Sequence, residues 1–430
     1  MATLSYTAAQ IDTLLGKADT AVQPTTTGDL DNLATSTKTD LVSAINETFQ
    51  SASNGKALVA AAITDKGVTT AATDSYATMA SNIAAIPTGT TEAEEKDVNF
   101  IDYDGTILYS YTKAEFANLS TLPDNPSHTG LTARGWNWTL SDAKTYVAAN
   151  GGLWIGQIYY DANGSTEIDI QLEQGRLAPF LGLGINGTVT IDWGDNSTAD
   201  TVTGTSLTTR VATQHTYSAA GAYTIKITPI SGNFAFLGTS SIYTLSANSN
   251  TSSYNRVYAN SAVAVRLGTN VGLGSYSFTY WTSLKSIVIP SGITTFGDYV
   301  LQYCYSLHHL SIPKGSAVGY GMLQNSNPIR SVSIPSGISK INNSFLANCN
   351  GLSNITIPSE ITTINASAFS GCGGLAEIHF KPASPPSVGN SNAFSNLPTD
   401  CKIYVPKGKL SAYTSASYYP SSSTYTYVEE

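Results

Sequence analysis

The chain has 430 residues, a net charge of −9, 12% charged residues and 41% hydrophobic ones, too long for one core and enough for roughly two to four domains. Ser and Thr together number 105, so the surface is expected to be uncharged hydroxyl and amide rather than ionic. The acidic balance excludes a nucleic-acid surface of clustered Lys and Arg, the lack of an apolar run of about 18 residues excludes a membrane span, and four Cys are too few for a disulfide scaffold.

The N-terminus, Met1-Ala2-Thr3-Leu4-Ser5-Tyr6, has no basic n-region and no apolar h-region, so it does not read as a secretory signal. A hydroxyl-rich β composition without export points to a virion protein, assembled in a host cytoplasm and acting outside the cell. A chain whose signal has been removed is the alternative. Residues 1–90 read as short helices. Leu4, Ala8, Ile11, Leu15, Ala18 and Val22 form a heptad seam closed by Pro24. A second helix over Lys38–Gln50 places Val42, Ile45 and Phe49 on one side. A third covers Lys56–Lys66. A fourth, capped by Asp74, puts Tyr76, Met79, Ile83 and Ile86 on one stripe. Helices this short need something to pack on, which predicts a homotrimer or docking onto a partner, with a loose bundle as the alternative. The segments Asp29–Phe49 and Lys56–Ile86 resemble recurrent segments in structural proteins of tailed phages of Gram-positive bacteria. That resemblance implies attachment to other virion proteins through residues 1–90.

Residues 97–156 form a small α+β region after a charged linker. Val98 to Leu108 contains Asp102-Tyr103-Asp104-Gly105-Thr106, which looks like the first motif of haloacid-dehalogenase-type phosphatases. That resemblance would make Asp102 a nucleophile and Asp104 a general acid, both near Mg²⁺. No Asp-Asp pair follows downstream, and a β-hairpin turning at Asp102–Gly105 is the expected structure. A helix is expected near Lys113–Leu119, and another capped by Ser141 and closed by Gly151-Gly152. Trp136 and Trp138 are packing anchors or a sugar-stacking pair. The block from Asp97 to Gly156 also resembles a block of such phage structural proteins.

From 157 to 235 the residues alternate with the strand period, as in Ile168-Asp169-Ile170-Gln171-Leu172 and Thr188 to Trp193. Asp192-Trp193-Gly194-Asp195, His215-Thr216-Tyr217 and Gly221-Ala222-Tyr223 resemble a polycystic-kidney-disease (PKD)-like, immunoglobulin-type sandwich. The resemblance implies structural roles for the Trp-Gly-Asp turn and for the tyrosine. Asp192 and Asp195 read as turn caps, or as a carboxylate pair for acid–base work or Ca²⁺.

Residues 255–415 are a repeat array. The heads Leu284, Leu307, Ile329, Leu352 and Leu375 recur at 23, 22, 23 and 23, and Pro290, Pro313, Pro335 and Pro358 at 23, 22 and 23. Each proline ends an apolar strand. Cys304, Ser326, Cys349 and Cys372 share a column and read as small buried packing residues, with a Cys349–Cys372 disulfide as the alternative. An earlier degenerate rung is expected, with Val265 and Leu267 as its strand and Trp281 in the Cys column. One strand per 22–23 residues predicts a leucine-rich-repeat solenoid of about five rungs. The Ile-Pro-Ser-Gly-Ile and Ala-Phe-Ser-Gly-Cys runs resemble the BspA-like class found in bacterial surface adhesins and some phage proteins, with Cys401–Pro406 and Leu410–Tyr413 as its cap. His308 and His309 are expected to face solvent. Residues 416–430 show no pattern.

No nucleophile–base–orienter set is visible around His128, His215, His308, His309 or His379. The chain is therefore read as non-enzymatic, with no catalytic, cofactor-binding or metal-binding residue assigned. The expected function is a virion fibre or receptor-binding protein whose solenoid adheres to a host-surface glycan or protein. The alternatives are a bacterial leucine-rich-repeat adhesin and a Mg²⁺-dependent phosphatase using Asp102 and Asp104.

Overall fold

The computed structural model describes residues 56–57, 59–60, 70–85, 95–247 and 258–430, in two compact units, Met1–Thr91 and Glu92–Glu430. The seam Leu4–Val22 and the helix expected over Lys38–Gln50 lie outside the described residues. In the first unit Lys56, Ala57, Val59 and Ala60 are helical, and α1 (Tyr76–Ala85) follows. Its cap is Ser75 rather than Asp74. Ser75 Oγ accepts the Thr78 N–H at 2.9 Å, while the Asp74 carboxylate accepts from Ala71 and shapes the turn before the helix. Met79 is buried but Tyr76 is exposed, its ring under the Lys56 ammonium, so the expected stripe is not one buried face.

The second unit opens with a four-stranded sheet of β1 (Val98–Ile101), β2 (Ile107–Tyr111), β3 (Ala133–Trp136) and β4 (Leu153–Tyr159), in the order β2-β1-β4-β3, with β1 parallel to β4. The β1 residues are all buried, as a central apolar strand requires. Asp102–Gly105 is the expected hairpin turn: Gly105, at φ 93°, donates its N–H to the Asp102 carbonyl. Helix α2 (Lys113–Ala117) starts on a Thr112–Glu115 capping box. Helix α3 (Leu140–Asn150) is capped by Thr139, not Ser141; its Oγ1 accepts the Asp142 N–H at 3.1 Å.

Next come β5 (Thr166–Leu172), β6 (Phe180–Asp192), β7 (Asp200–Gln214), β8 (Gly221–Phe236), β9 (Leu245–Ser246), β10 (Ala262–Arg266) and β11 (Val271–Leu273). They form one hydrogen-bonded seven-stranded sheet ordered β10-β5-β8-β6-β7, with β9 on β6 and β11 on β8. The long strands bend at register shifts at Gly184/Ile185 and Thr188/Val189. Strand β10, read from sequence as the strand of an earlier rung, pairs antiparallel with β5, while Trp281 sits in the column as expected, its carbonyl accepting the Leu284 N–H as that of Cys304 accepts the Leu307 N–H. Arg266, 7% exposed, holds it there through Asp169 and Glu167. An alternating apolar strand serves a sheet or a rung equally well; the buried cation decides it.

The solenoid stacks three ladders. Its strand face begins with β12 (Ser286–Val288) parallel to β13 (His309–Ser311). A second ladder holds β14 (Lys340–Ile341), β16 (Thr363–Ile364) and β18 (Ser387–Val388), continued by the bridges Leu273↔Phe296 and Thr295↔Ala317. The strand face resumes with β15 (Asn354–Ile357), β17 (Glu377–Phe380), β19 (Lys402–Val405) and β20 (Thr426–Glu429). The third ladder is made of turns. Leu301 N–H donates to Met322 O, Leu323 to Phe345 O and Leu346 to Ala368 O, so each turn bonds the next. Six such turns stack, the last at Ala393–Asn396. The period hid the sixth because an insertion lengthens the spacing of the equivalent Phe369 and Phe394 to 25 residues. The terminal residues are not patternless: β20 completes the strand face, and Tyr413, between the last strands as helix α4 (Leu410–Thr414), packs on Phe380 beside Tyr419.

One apolar core runs without interruption from Ile168 in β5 to Tyr413 in α4. A separate small core joins Ile101, Ile107, Trp154 and Ile158 of the first sheet to Val288 of β12. The first sheet therefore lies on the solenoid's strand face. Asn137, 2% exposed, fastens the two. It donates to the Ile289 carbonyl and the Ser311 hydroxyl, both at 2.9 Å, and accepts the Gly156 N–H. Trp138 donates to Ile312 O and Tyr146 to Ile334 O. A Cβ on Gly156 would collide with Val288. Gly156→Ala is expected to lower stability by about 1–3 kcal/mol in urea denaturation at unchanged m, while Gly292→Ala, where a Cβ meets nothing, stays within about 0.5 kcal/mol.

Candidate functional site

The carboxylates that suggested chemistry are occupied structurally. Asp102 is buried at 2%, accepts the Tyr103 N–H and pairs with His128 Nε2 at 2.6 Å. Asp104 is exposed and caps its own turn by accepting the Thr106 N–H. The two therefore do not converge on one point. Asp192 accepts from Gly194 and Asp195 from Ser197, which are turn caps. Asp195 also meets His215 Nε2 at 2.8 Å. Burial would raise the Asp195 carboxyl, but the Ser197 and His215 hydrogen bonds outweigh it and hold it at about 2. The His215 ring stacks on Trp193, and the Tyr217 hydroxyl donates to the Trp193 carbonyl at 3.0 Å. Among the described residues no group of three His, Cys, Asp or Glu is placed to hold a metal.

The tryptophans are packing anchors. Trp136 lies edge-on to Phe100 and donates to Pro123 O, and Trp138 is sealed against the solenoid. Sequence placed His309 in solvent; in the structure its ring stacks on Trp154 at 4.5 Å, under the first sheet. Burial first, then the His308 and Arg330 charges, push His309 down to about 4. Nothing in the rung's own sequence reports a cover contributed from residues 153–159.

The Cys column is a hydrogen-bond ladder. Cys304 donates its S–H to Phe278 O, Cys349 to Leu323 O and Cys372 to Leu346 O, at 3.1–3.3 Å; Ser326 donates to Leu301 O at 2.6 Å. In these four rungs the column holds a small side chain with a proton to give, which Ser and Cys both supply. All four thiols are free. Burial pushes Cys372 up to about 12 and Cys401 up to about 11, and raises Cys304 and Cys349 as well.

Two surfaces of the solenoid carry stacked aromatic rings. One is the strand face of β15, β17, β19 and β20, where Thr356, His379, Tyr404 and Val428 lie in register. There His379 stacks on Tyr404 at 4.3 Å and meets Glu377 and Glu430. The other is the turn face of the first rungs, where a pocket of about 320 Å³ is lined by tyrosines and Gln side chains.

A family model described as a BspA type leucine rich repeat region matches six copies, over residues 224–318 and 271–400. The chain carries a BspA-type leucine-rich-repeat region. Similar solved structures are a leucine rich cell surface protein from Faecalibacterium prausnitzii (25% identity, 32% of this chain and 35% of that one, TM-score 0.28) and a leucine-rich-repeat protein from Bacteroides ovatus (22%, 37% and 45%, TM-score 0.30). A third is the T. pallidum leucine rich repeat protein (18%, 30% and 72%, TM-score 0.26). This chain spans less than half of the first two. No curated protein matches. The described residues hold no helix long and apolar enough to cross a membrane.

Two outcomes follow from the buried groups. The folded His309 value, about 4, lies below the unfolded value of about 6.5, so the unfolded chain takes the proton first. Stability is full above about pH 6.5 and is lost as pH falls toward about 4, by at most about 3 kcal/mol and less for a partly exposed ring. Trp154 fluorescence during acid titration of wild type and His309→Gln checks this; the variant should lose the inflection. Second, a neutral alkylating reagent at about pH 8 should leave Cys304, Cys349 and Cys372 unlabelled in the folded chain and label all of them after unfolding.

Proposed function

We propose that this is a non-catalytic surface-recognition protein of the leucine-rich-repeat adhesin kind, with the solenoid as its binding module. The carrying observation is a pair of solenoid surfaces, one with Tyr, Gln and Thr at the turns and one with Thr356, His379 and Tyr404 on the strands, on a rigid stack whose early strand face is covered. Aromatic and hydroxyl groups on a stiff frame give contact area at low entropy cost. A cell-surface protein fits the repeat class, and the site of action is then outside a cell, against a surface glycan or protein.

A virion fibre is the second reading, favoured by the resemblance of Asp29–Phe49 and Lys56–Ile86 to phage structural segments. On it, residues 1–90 dock onto virion proteins or form a homotrimer. The Trp193, His215 and Tyr217 arrangement supports a PKD-like module between that region and the solenoid in either case.

The test uses fluorescent full-length chain on a panel of bacterial cells. Saturable binding, retained by a chain beginning at Glu92, is expected. Failure to bind any cell surface sinks recognition as the function. Locating the native chain separates the two readings: envelope fractions support the adhesin, purified particles the fibre. For the fibre, light scattering should give about three times 45.2 kDa for the full chain and one chain without residues 1–91.

A further inference from the structure

The turn ladder places one residue per rung in the left-handed region at each of two columns. The first column reads Tyr276, Tyr299, Gly321, Ser344, Ser367, and the second Tyr280, Tyr303, Asn325, Asn348, Gly371, all with φ between 55° and 72°. Later rungs fill these positions with Gly, Asn and Ser, the small or polar residues that tolerate this conformation. The first two rungs fill all four with tyrosine, where a bulky side chain is a genuine outlier. Backbone strain from four bulky side chains in two neighbouring rungs, at columns the later rungs fill with smaller residues, points to a use for the side chains.

Those side chains build one site. Tyr276 stacks on Tyr299 at 5.0 Å and 19°, and Tyr280 on Tyr303 at 4.3 Å and 12°. A Cβ at Gly321 would collide with the Tyr299 ring, so the next rung is kept bare beneath it. The rings border the 320 Å³ pocket together with Gln302 and Gln324, whose amides are joined at 2.7 Å and keep further donor and acceptor capacity. At its base lies Tyr243, 1% exposed and edge-on to Tyr280. Its hydroxyl has no hydrogen-bond partner among the described residues. A buried phenol without a partner costs free energy that a ligand hydroxyl would recover. No charged side chain lines the pocket.

We propose that this pocket binds a neutral hexopyranose unit of a surface polysaccharide. A sugar ring offers an apolar C–H face to lie on the tyrosines and hydroxyls for the Gln amides and Tyr243. The uncharged lining disfavours sialic acid, uronic acid and phosphate groups, which need a cation. The inference rests on the recognition function above and names its ligand.

The experiment is saturation-transfer NMR on the full chain with a panel of neutral tetrasaccharides (malto-, cello-, laminari-, manno- and chitotetraose), with tetragalacturonate, in which every ring carries a carboxylate, as the charged comparison. At least one neutral sugar should receive saturation at its ring protons, and tetragalacturonate should receive none. Tyr299→Ser/Tyr303→Asn, which places at each column a residue the later rungs already use there, should still unfold cooperatively and bind at least tenfold more weakly. Tyr243→Phe should melt no lower than wild type and yet lose affinity several-fold, a combination that a packing role for Tyr243 would not produce. Unchanged binding in the tyrosine variants, saturation of tetragalacturonate alone, or no neutral sugar bound overturns the proposal. If wild type and the double Tyr variant bind cells equally, the pocket assignment falls while surface recognition stands. If cells bind through a protease-sensitive receptor and no sugar competes, the ligand is a protein and the glycan assignment is wrong.

Discussion

A solenoid rung has two apolar sides and can cover neither by itself, so the stack is stable only if both ends are closed. At the N-terminal end the closure is the antiparallel sheet, whose β8 carries β11 alongside it and leads the core straight into the first turn. At the C-terminal end it is β20 with the packed rings of Tyr413 and Tyr419. The continuity of the core from Ile168 to Tyr413 follows from this need. Sheet, solenoid and cap share one hydrophobic interior, so damage at either end is expected to spread along the stack.

The same need does not explain the first α+β sheet, which covers the side of the stack rather than its end. That contact is polar at its centre. Asn137 satisfies backbone groups of β4 and of the β12–β13 rungs at once, and the Ser311 hydroxyl accepts from Asn137 and donates to the Trp154 carbonyl. Buried amide and hydroxyl pairs of this kind fix one geometry, because any shift strands several of them. The consequence for function is subtractive. The early strand face is taken, while the later strands and the turn columns stay uncovered by the first sheet.

The periodic parts of this architecture were legible in the sequence, because a rung repeats its own chemistry: strand, proline, small column residue and turn recur every 22–23 positions. The Asp102–Gly105 hairpin was legible from its turn residues alone. What stayed hidden is long-range. Asn137 and Ile289 are 152 positions apart, and neither has a local feature that names the other. His309 looked solvent-facing because its rung neighbours are polar, and only Trp154 shows otherwise. That β5 to β11 join one hydrogen-bonded seven-stranded sheet was hidden for a similar reason, since alternation specifies a half-buried strand and not its neighbours.

The tyrosine columns were in plain view in the sequence, yet periodicity reads a column by what repeats, and these positions matter by where the repeat fails. In the later rungs the left-handed sites hold Asn, Ser or Gly and the turn is relaxed. In the first two the frame carries four tyrosines against their backbone preference, and a glycine beneath clears their stack. A stacked architecture tolerates this because each rung is held by its neighbours through three ladders, so local strain is overdetermined by the frame. Rigid repetition therefore supplies the stability, and its local violation supplies a surface unlike the rest of the stack.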